Sequence, residues 1–339
     1  MRPAFKLPEL VGFDKKPDLK IAYENSAADA IYHCLLNGNP IPDWARREVT
    51  MNWPFHLPKE KQTTLFTPQG NSTNAWQAWQ KPLGTNLVEI LTMASGGAGG
   101  LGFAAAAASA RGGGGGGGSG SMSRLIVPAD LLPETLYVQP GIRGIGAAGT
   151  TSYVSLMPLV TTQILLCIAF GGGLGGTGTA AAVGAAGAAG VIATASTCPY
   201  STLGLFVSLS GQAGGAGGAI AGGAGTAVAW GGVGTLNSGG AGGGGTTSAD
   251  FAGGNVAGSG FVPTIVGGLA GSNPGGAGFD LFVPPSFAGG GGGGSSNAGT
   301  GGAGGNAGYG SGGGGSGAGV AAGTRSEGGD GLIWITAIK

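Results

Sequence analysis

Two histidines, His33 and His56, are all the chain holds, and both lie in its first sixty residues. Neither has a cysteine or carboxylate at metal-ligand spacing. Cys34 follows His33 directly, a pairing that suits two packed neighbours on a helix better than a catalytic dyad. There is no G-x-S-x-G elbow, no HExxH and no P-loop. The glycine runs mimic G-x-G-x-x-G repeatedly, but lack the acidic residue and βαβ setting that give the motif meaning. The later carboxylates (Asp130, Glu134, Asp250, Asp280, Glu327, Asp330) are scattered, and Asp330 in Gly-Asp-Gly needs only a turn role. The expected chemistry is binding, not catalysis, with no cofactor and no metal.

Binding chemistry is best sought in four islands between glycine runs: Ser196–Thr202, Trp230–Ser238, Phe261–Val266 and Phe279–Phe287. The last reads FDLFVPPSF, three phenylalanines with two prolines that limit its backbone freedom. Rigid aromatic loops lose less entropy on binding. The candidate contact residues are Phe261, Val262, Phe279, Phe282, Phe287 and Tyr309. The competing expectation is that these side chains cap the glycine stack or pack on another subunit.

The islands must be positioned by glycine. Of 339 residues, 81 are Gly, in runs that include Gly112–Gly118, Gly239–Gly245 without Ala241, and Gly289–Gly294. Glycine of this density reads either as disorder, since Gly loses the most freedom on folding and buries no side chain, or as packed polyproline-II-type backbone. The latter, called polyglycine II, has three residues per turn and no internal hydrogen bonds, so neighbouring strands must satisfy its N–H and C=O groups. Three features favour order. Residues other than Gly recur at period three, as at Ala213, Ala216 and Ala219, and at Asn297, Thr300, Ala303, Asn306 and Tyr309; Gly184, Gly187 and Gly190 show the complement. Only 10 charged residues follow Arg111, against 20 up to it, whereas disordered segments are charge-rich. Apolar, strand-like islands also interrupt the glycine. Collagen would need strict Gly-X-Y and abundant proline.

The expected strands are Thr64–Thr67, Ala75–Gln80, Asn86–Met93, Arg124–Pro128, Thr135–Gln139, Ser152–Leu156, Gln163–Phe170, Gly190–Thr194, Leu203–Leu209, Thr226–Trp230 and Leu332–Ile338. They are short, β-branched or aromatic, and bounded by Gly or Pro. The pattern predicts a mainly β fold: an antiparallel, jelly-roll-like β-sandwich with polyglycine-II helices inserted between strands, preceded by a short, partly helical arm. The expected divisions are a docking arm at 1–62, a sandwich framework at 63–170, a polyglycine-II-rich region at 171–331 and a closing strand at 332–339. In the arm, helices are expected over Ser26–Leu36 and from Pro42 or Asp43 to Val49, followed by the aromatic strip Trp53–Pro58. It is too small to hold its own core. Trp44, Trp53 and Phe55 are its candidate docking residues, against the alternative of a floppy tail.

Fifteen basic residues balance fifteen acidic ones, which removes the long-range electrostatic case for nucleic acid or acidic membranes. Charged residues are only 9% of the chain, which suggests life inside an assembly. No apolar h-region follows Met1, and the most hydrophobic stretch, Ile164–Phe170, is too short to span a bilayer. Cys34, Cys167 and Cys198 are expected to be buried, reduced thiols in a protein made in a cytosol.

Three stretches carry a family resemblance: VEILTMASGGAGG, SRLIVPADLLPETLYVQPGIRGIGAAGTTSYVSL, and the closing GGDGLIWITAI. Together they resemble the glycine-rich domain of bacteriophage tail and tail-fibre proteins, and phage tail-fibre-tip adhesins built on polyglycine-II helices. The resemblance covers roughly Trp76 to Lys339 and rests on order and punctuation. It differs from the adhesin heads in threading a sheet framework through the glycine blocks. The GGAGGN at Gly301–Asn306 is also similar to mycobacterial Gly-Ala-rich proteins, whose helical N-terminal domain has no match here. The phage resemblance implies a non-enzymatic virion protein, made in the host cytoplasm and exposed on the particle. Its arm would join other virion proteins, its body would meet an unknown host receptor, and it would form a homo-oligomer, a trimer by analogy with phage fibres. The alternatives are a structural virion component, such as a capsid decoration or tail accessory protein, and a bacterial surface protein.

Overall fold

A computed structural model describes residues 61–70, 75–230, 236–258 and 262–339. The chain divides into two units, Met1–Glu60 and Lys61–Lys339. The first unit, with its expected helices and with Trp44, Trp53 and Phe55, lies outside the described residues, as does Phe261. The second is mainly β, with several antiparallel sheets, and among its described residues the helical content is limited to 3-10 turns such as Ala129–Leu131 and Pro199–Leu203.

In chain order the strands are β1 (Lys61–Phe66), β2 (Gln77–Gln80), β3 (Leu87–Met93), β4 (Met122–Pro128), β5 (Thr135–Gln139), β6 (Ser152–Ser155), β7 (Leu165–Ala169), β8 (Leu205–Leu209), β9 (Val228–Ala229), β10 (Val256–Ala257), β11 (Asp280–Phe282), β12 (Pro285–Phe287) and β13 (Leu332–Ile338). A five-stranded antiparallel sheet runs β1-β13-β3-β4-β8, and a four-stranded one runs β2-β5-β6-β7. The closing strand is thus central, with Ile335 paired to Thr64 on one side and Ile90 on the other.

Alternation decides which face is buried. Val88 and Ile90, Leu125 and Val127, and Ile333 and Ile335 point to one side of the larger sheet. They meet Leu136, Val138, Val154 and Leu166 of the smaller sheet in a single apolar core. Burying each such side chain stabilises by roughly 1.5–3 kcal/mol. All five residues of β7 are buried because a second cluster, with Cys198 and Ala193, covers Leu165 and Ile168. That double cover accounts for the most hydrophobic stretch of the sequence. Cys167 and Cys198 are free and buried, as expected. Burial raises the Cys167 thiol to about 12, and pushes Cys198 up further with help from the nearby Cys167.

The glycine segments between these strands pack as parallel and antiparallel rows. In Gly112–Gly118 each third amide goes the same way. Gly112, Gly115 and Gly118 donate to the carbonyls of Thr179, Gly176 and Gly173. Gly113 and Gly116 donate to Gly218 and Gly215, and Gly114 and Gly117 to Ser316 and Gly313, all at 2.7–3.1 Å. The carbonyls of the run accept from three further rows, through Gly97 and Gly100, Gly184 and Gly187, and Gly240 and Gly243, at 2.7–2.9 Å. One run therefore has six neighbours, and both polar groups of every residue are satisfied. A Cβ added anywhere in Gly112–Gly118 would sit 1.9–2.4 Å from a neighbouring backbone oxygen, and in Gly289–Gly294 1.8–2.4 Å. Only glycine fits such an interior position.

At the rim the composition changes with the number of open faces. Gly184, Gly187 and Gly190 are buried against the stack while the alanines between them face mostly outward. Ala213 and Ala219 mark the single open face of their row. Where rows end, buried serines replace the missing neighbour: Ser119 Oγ accepts from Gln212 N (2.7 Å), Ser121 Oγ from Phe170 N (2.8 Å) and Ser238 Oγ from Gly289 N (2.8 Å). Arg111 is fully buried at one such end. Its guanidinium donates to the carbonyls of Ser109, Ala105, Ser296 and Asn297 and to Asn297 Oδ1. Burial pushes its pKa down, partly offset by Asp250.

Two expectations need correction. Gly190–Thr194 is not a strand: Gly190 extends a glycine row, donating to Ser119 O and accepting from Gly211 N, and Thr194 already turns back onto Thr197. Thr226–Trp230 contains only the two-residue β9, paired in parallel with β10.

Candidate recognition surface

The FDLFVPPSF island folds as the hairpin β11–β12, with Asp280 opposite Phe287 and Phe282 opposite Pro285. Residues read as one aromatic loop therefore go to different places. Phe282 is 42% exposed, whereas Phe287 is completely buried with Met93 and Leu332, its amide bound to Leu236 O at 2.7 Å. Phe279 is half-buried, stacked on Trp230 at 6.4 Å and 10° over a cluster of Ala241, Val256, Ile265 and Ala288. Val262 is 5% exposed, in a segment folded back so that Ile265 and Val256 exchange backbone hydrogen bonds at 2.9 Å. As surface contact residues, Phe287 and Val262 are thus ruled out: burying an aromatic or aliphatic side chain in the chain's own interior outweighs displaying it. Phe282 and half-buried Tyr309 retain exposed surface, with ring centroids 6.0 Å apart.

One cleft, of about 340 Å³, opens where the hairpin overhangs the outer face of the five-stranded sheet. Thr63, Glu89, Leu91, Phe282, Pro285, Trp334 and Thr336 line it. Phe282 and Trp334 form its aromatic corner, 6.2 Å apart at 76°. The Thr63 and Thr336 hydroxyls bond each other at 3.0 Å, and Arg124 holds Glu89 Oε1 at 2.6 Å from both Nε and Nη2.

A second cleft, of about 300 Å³, is polar. Arg143, Asp280, Asn306, Tyr309, Glu327 and Asp330 contribute its side chains. Arg143 bridges Glu327 (2.8 Å) and Asp330 (3.2 Å), and its amide also donates to Asp330 Oδ1 at 2.9 Å. Asp280 Oδ1 accepts from Tyr309 N at 2.7 Å. Burial raises the Asp280 carboxyl above its ordinary range, opposed by that hydrogen bond and reinforced by Asp330. Burial likewise raises the Tyr309 phenol, with the charges of Asp280 and Asp330 adding to it. Four of the fourteen charged residues after Glu60 gather here.

Scattered spacing concealed this gathering, because Asp280 comes from β11, Arg143 from the stretch after β5, and only Glu327 and Asp330 share one segment, three residues apart. Asp330 does more than turn the chain, since it anchors Arg143. Trp334 was legible by alternation: it sits between buried Ile333 and Ile335, so it must point to the opposite face. Among the described residues, no group of three or more His, Cys, Asp or Glu is placed to hold a metal ion, and no helix is long and apolar enough to cross a membrane. No family model matches the chain, and no curated protein matches it either.

Proposed function

We propose that the chain is a non-enzymatic virion protein of a tailed phage, a tail-fibre or tail-tip component that recognises the host surface. In this reading the two sheets are the halves of a jelly-roll-like antiparallel sandwich, and the glycine rows are polyglycine-II helices inserted between its strands. The common apolar core and the threefold bonding of Gly112–Gly118 support that assignment. The observation that carries the functional reading is the hairpin β11–β12, which stands between an aromatic cleft and a polar cleft on this rigid glycine base. Glycine rows offer small, sequence-poor faces, so discrimination belongs to the groups that project from their ends. The segment 1–60 would join other virion proteins, and the body would form a homo-oligomer, a trimer by analogy with phage fibres.

A structural virion role is the second reading. It is favoured by the outer face of the five-stranded sheet, where Leu65, Leu205 and Val207 are 44%, 74% and 55% exposed, as in a surface awaiting a neighbouring subunit. Gold-labelled antibody to the purified protein, imaged on phage particles, separates the two. Label at the tail tip or fibres supports recognition, and label on the capsid or along the tail tube supports the structural role. Particles without label overturn both.

A further inference from the structure

Resting on the host-recognition reading, we propose that the cleft between Phe282 and Trp334 takes an uncharged pyranose ring of a surface glycan. A sugar has an apolar C–H face and a rim of paired hydroxyls, so its site needs a ring to stack on and planar polar groups beside it. The cleft has both. Phe282 and Trp334 stand nearly perpendicular, 76° apart, so one ring can face the sugar while the other closes its edge. Thr63 and Thr336 place two hydroxyls, each donor and acceptor, on the sheet floor. Both Arg124 contacts fall on Oε1 of Glu89, which leaves Oε2 as an acceptor for a ligand hydroxyl.

Charge narrows the class. The Arg124 guanidinium beside this cleft is occupied by Glu89, and in the polar cleft Arg143 is shared between two carboxylates with Asp280 alongside. Among the described residues that line the two clefts, none is an unpaired cation that could meet a phosphate or uronate, so the ring is neutral. A volume of about 340 Å³ lies at the lower end of small-ligand pockets, which span roughly 300–1,000 Å³.

The test uses the full chain, fluorescently labelled, on cells of the bacterium that the phage infects. Periodate, which cleaves vicinal diols, should abolish binding, and surface proteolysis should leave it intact. In solution, a panel of neutral hexoses, N-acetylhexosamines and their disaccharides is titrated against tryptophan fluorescence, with glucuronate as the anionic control. At least one neutral sugar should bind and compete with cells, and Glu89→Gln and Phe282→Ala should each weaken it at least tenfold. Binding lost to protease but not to periodate overturns the glycan assignment while leaving recognition standing. Wild-type sugar affinity in both variants overturns this cleft as the site. Failure to bind any cell removes the recognition reading itself, and the panel then decides alone: no neutral sugar bound, no pyranose site.

Discussion

Phe282 and Phe287 are diagonal neighbours on one face of the β11–β12 hairpin, their rings edge to face with centroids 5.6 Å apart, yet Phe282 is 42% exposed and Phe287 fully buried. The same residue type in one motif therefore serves two ends. Phe282→Ala should weaken adsorption to host cells at least about tenfold, roughly 1.4 kcal/mol, and leave the melting temperature nearly unchanged. Phe287→Ala should instead cost about 3–5 kcal/mol in folding stability, read by denaturant titration. Equal melting temperatures for the two variants would contradict the burial difference.

Interior glycines should tolerate no methyl. In Gly115→Ala the new Cβ would lie 1.9 Å from Ala185 O, and in Gly116→Ala 2.0 Å from Gly240 O. The obstacle is backbone, which cannot rotate away. Each substitution should cost at least about 3 kcal/mol, lowering the melting temperature by roughly 6–12 °C, whereas Ala185→Ser on the open rim should be neutral. Calorimetry of the three variants checks the contrast.

Hydrogen exchange gives an independent reading of the rows. Each amide of Gly112–Gly118 donates to a neighbouring row, so exchange there should need cooperative opening of several rows at once. Protection in this run and in Gly289–Gly294 should match that of β3 and β13. Complete exchange within seconds would mean that the rows do not persist in solution.

Stability should respond to the charge on Asp280. Its folded pKa is raised above the usual 3.8 by burial. A raised acid favours the folded state fully below 3.8, and that contribution is lost as pH rises through the folded pKa. Asp280→Asn keeps an acceptor for Tyr309 N without the charge. The variant should therefore melt higher than wild type at pH 7, and the gain should vanish below pH 3.8. Melting curves at both pH values test the sign.

The two described thiols should be inert. Cys167, pushed up to about 12, and the still more shifted Cys198 are almost wholly protonated at pH 8, and both are sealed by the core. Mass-spectrometric mapping after iodoacetamide should find neither alkylated in the folded protein and both alkylated in denaturant.

Much of the framework was legible, because strand alternation is a local signal. LIWITAI and NLVEILTM gave away their buried faces within seven or eight residues, and the period-three alanines marked the rim of the glycine rows. The order of strands in the sheets was not legible, since β13 and β3 are joined across more than two hundred residues and only their register pairs them. The candidate site was harder still. Asp280, Glu327, Asp330 and Arg143 converge because three separate stretches of chain meet at one place, and of this only the three-residue interval between Glu327 and Asp330 shows in spacing. The aromatic island misled for a related reason: Phe287 packs on Met93 and Leu332, partners that nothing near residue 287 announces.

The period-three bonding of the glycine rows also limits how such a gene can change length. Each side of a row repeats every third residue, so three codons gained or lost restore every downstream face to its old neighbour. One or two codons rotate the remainder by a third or two-thirds of a turn, turning an alanine such as Ala213 inward and a bare glycine outward. A run with six neighbours also cannot lengthen alone, because the added amides would find carbonyls only if adjoining rows grew with it. Related chains should accordingly differ by multiples of three residues in these runs, with matched changes in rows that touch.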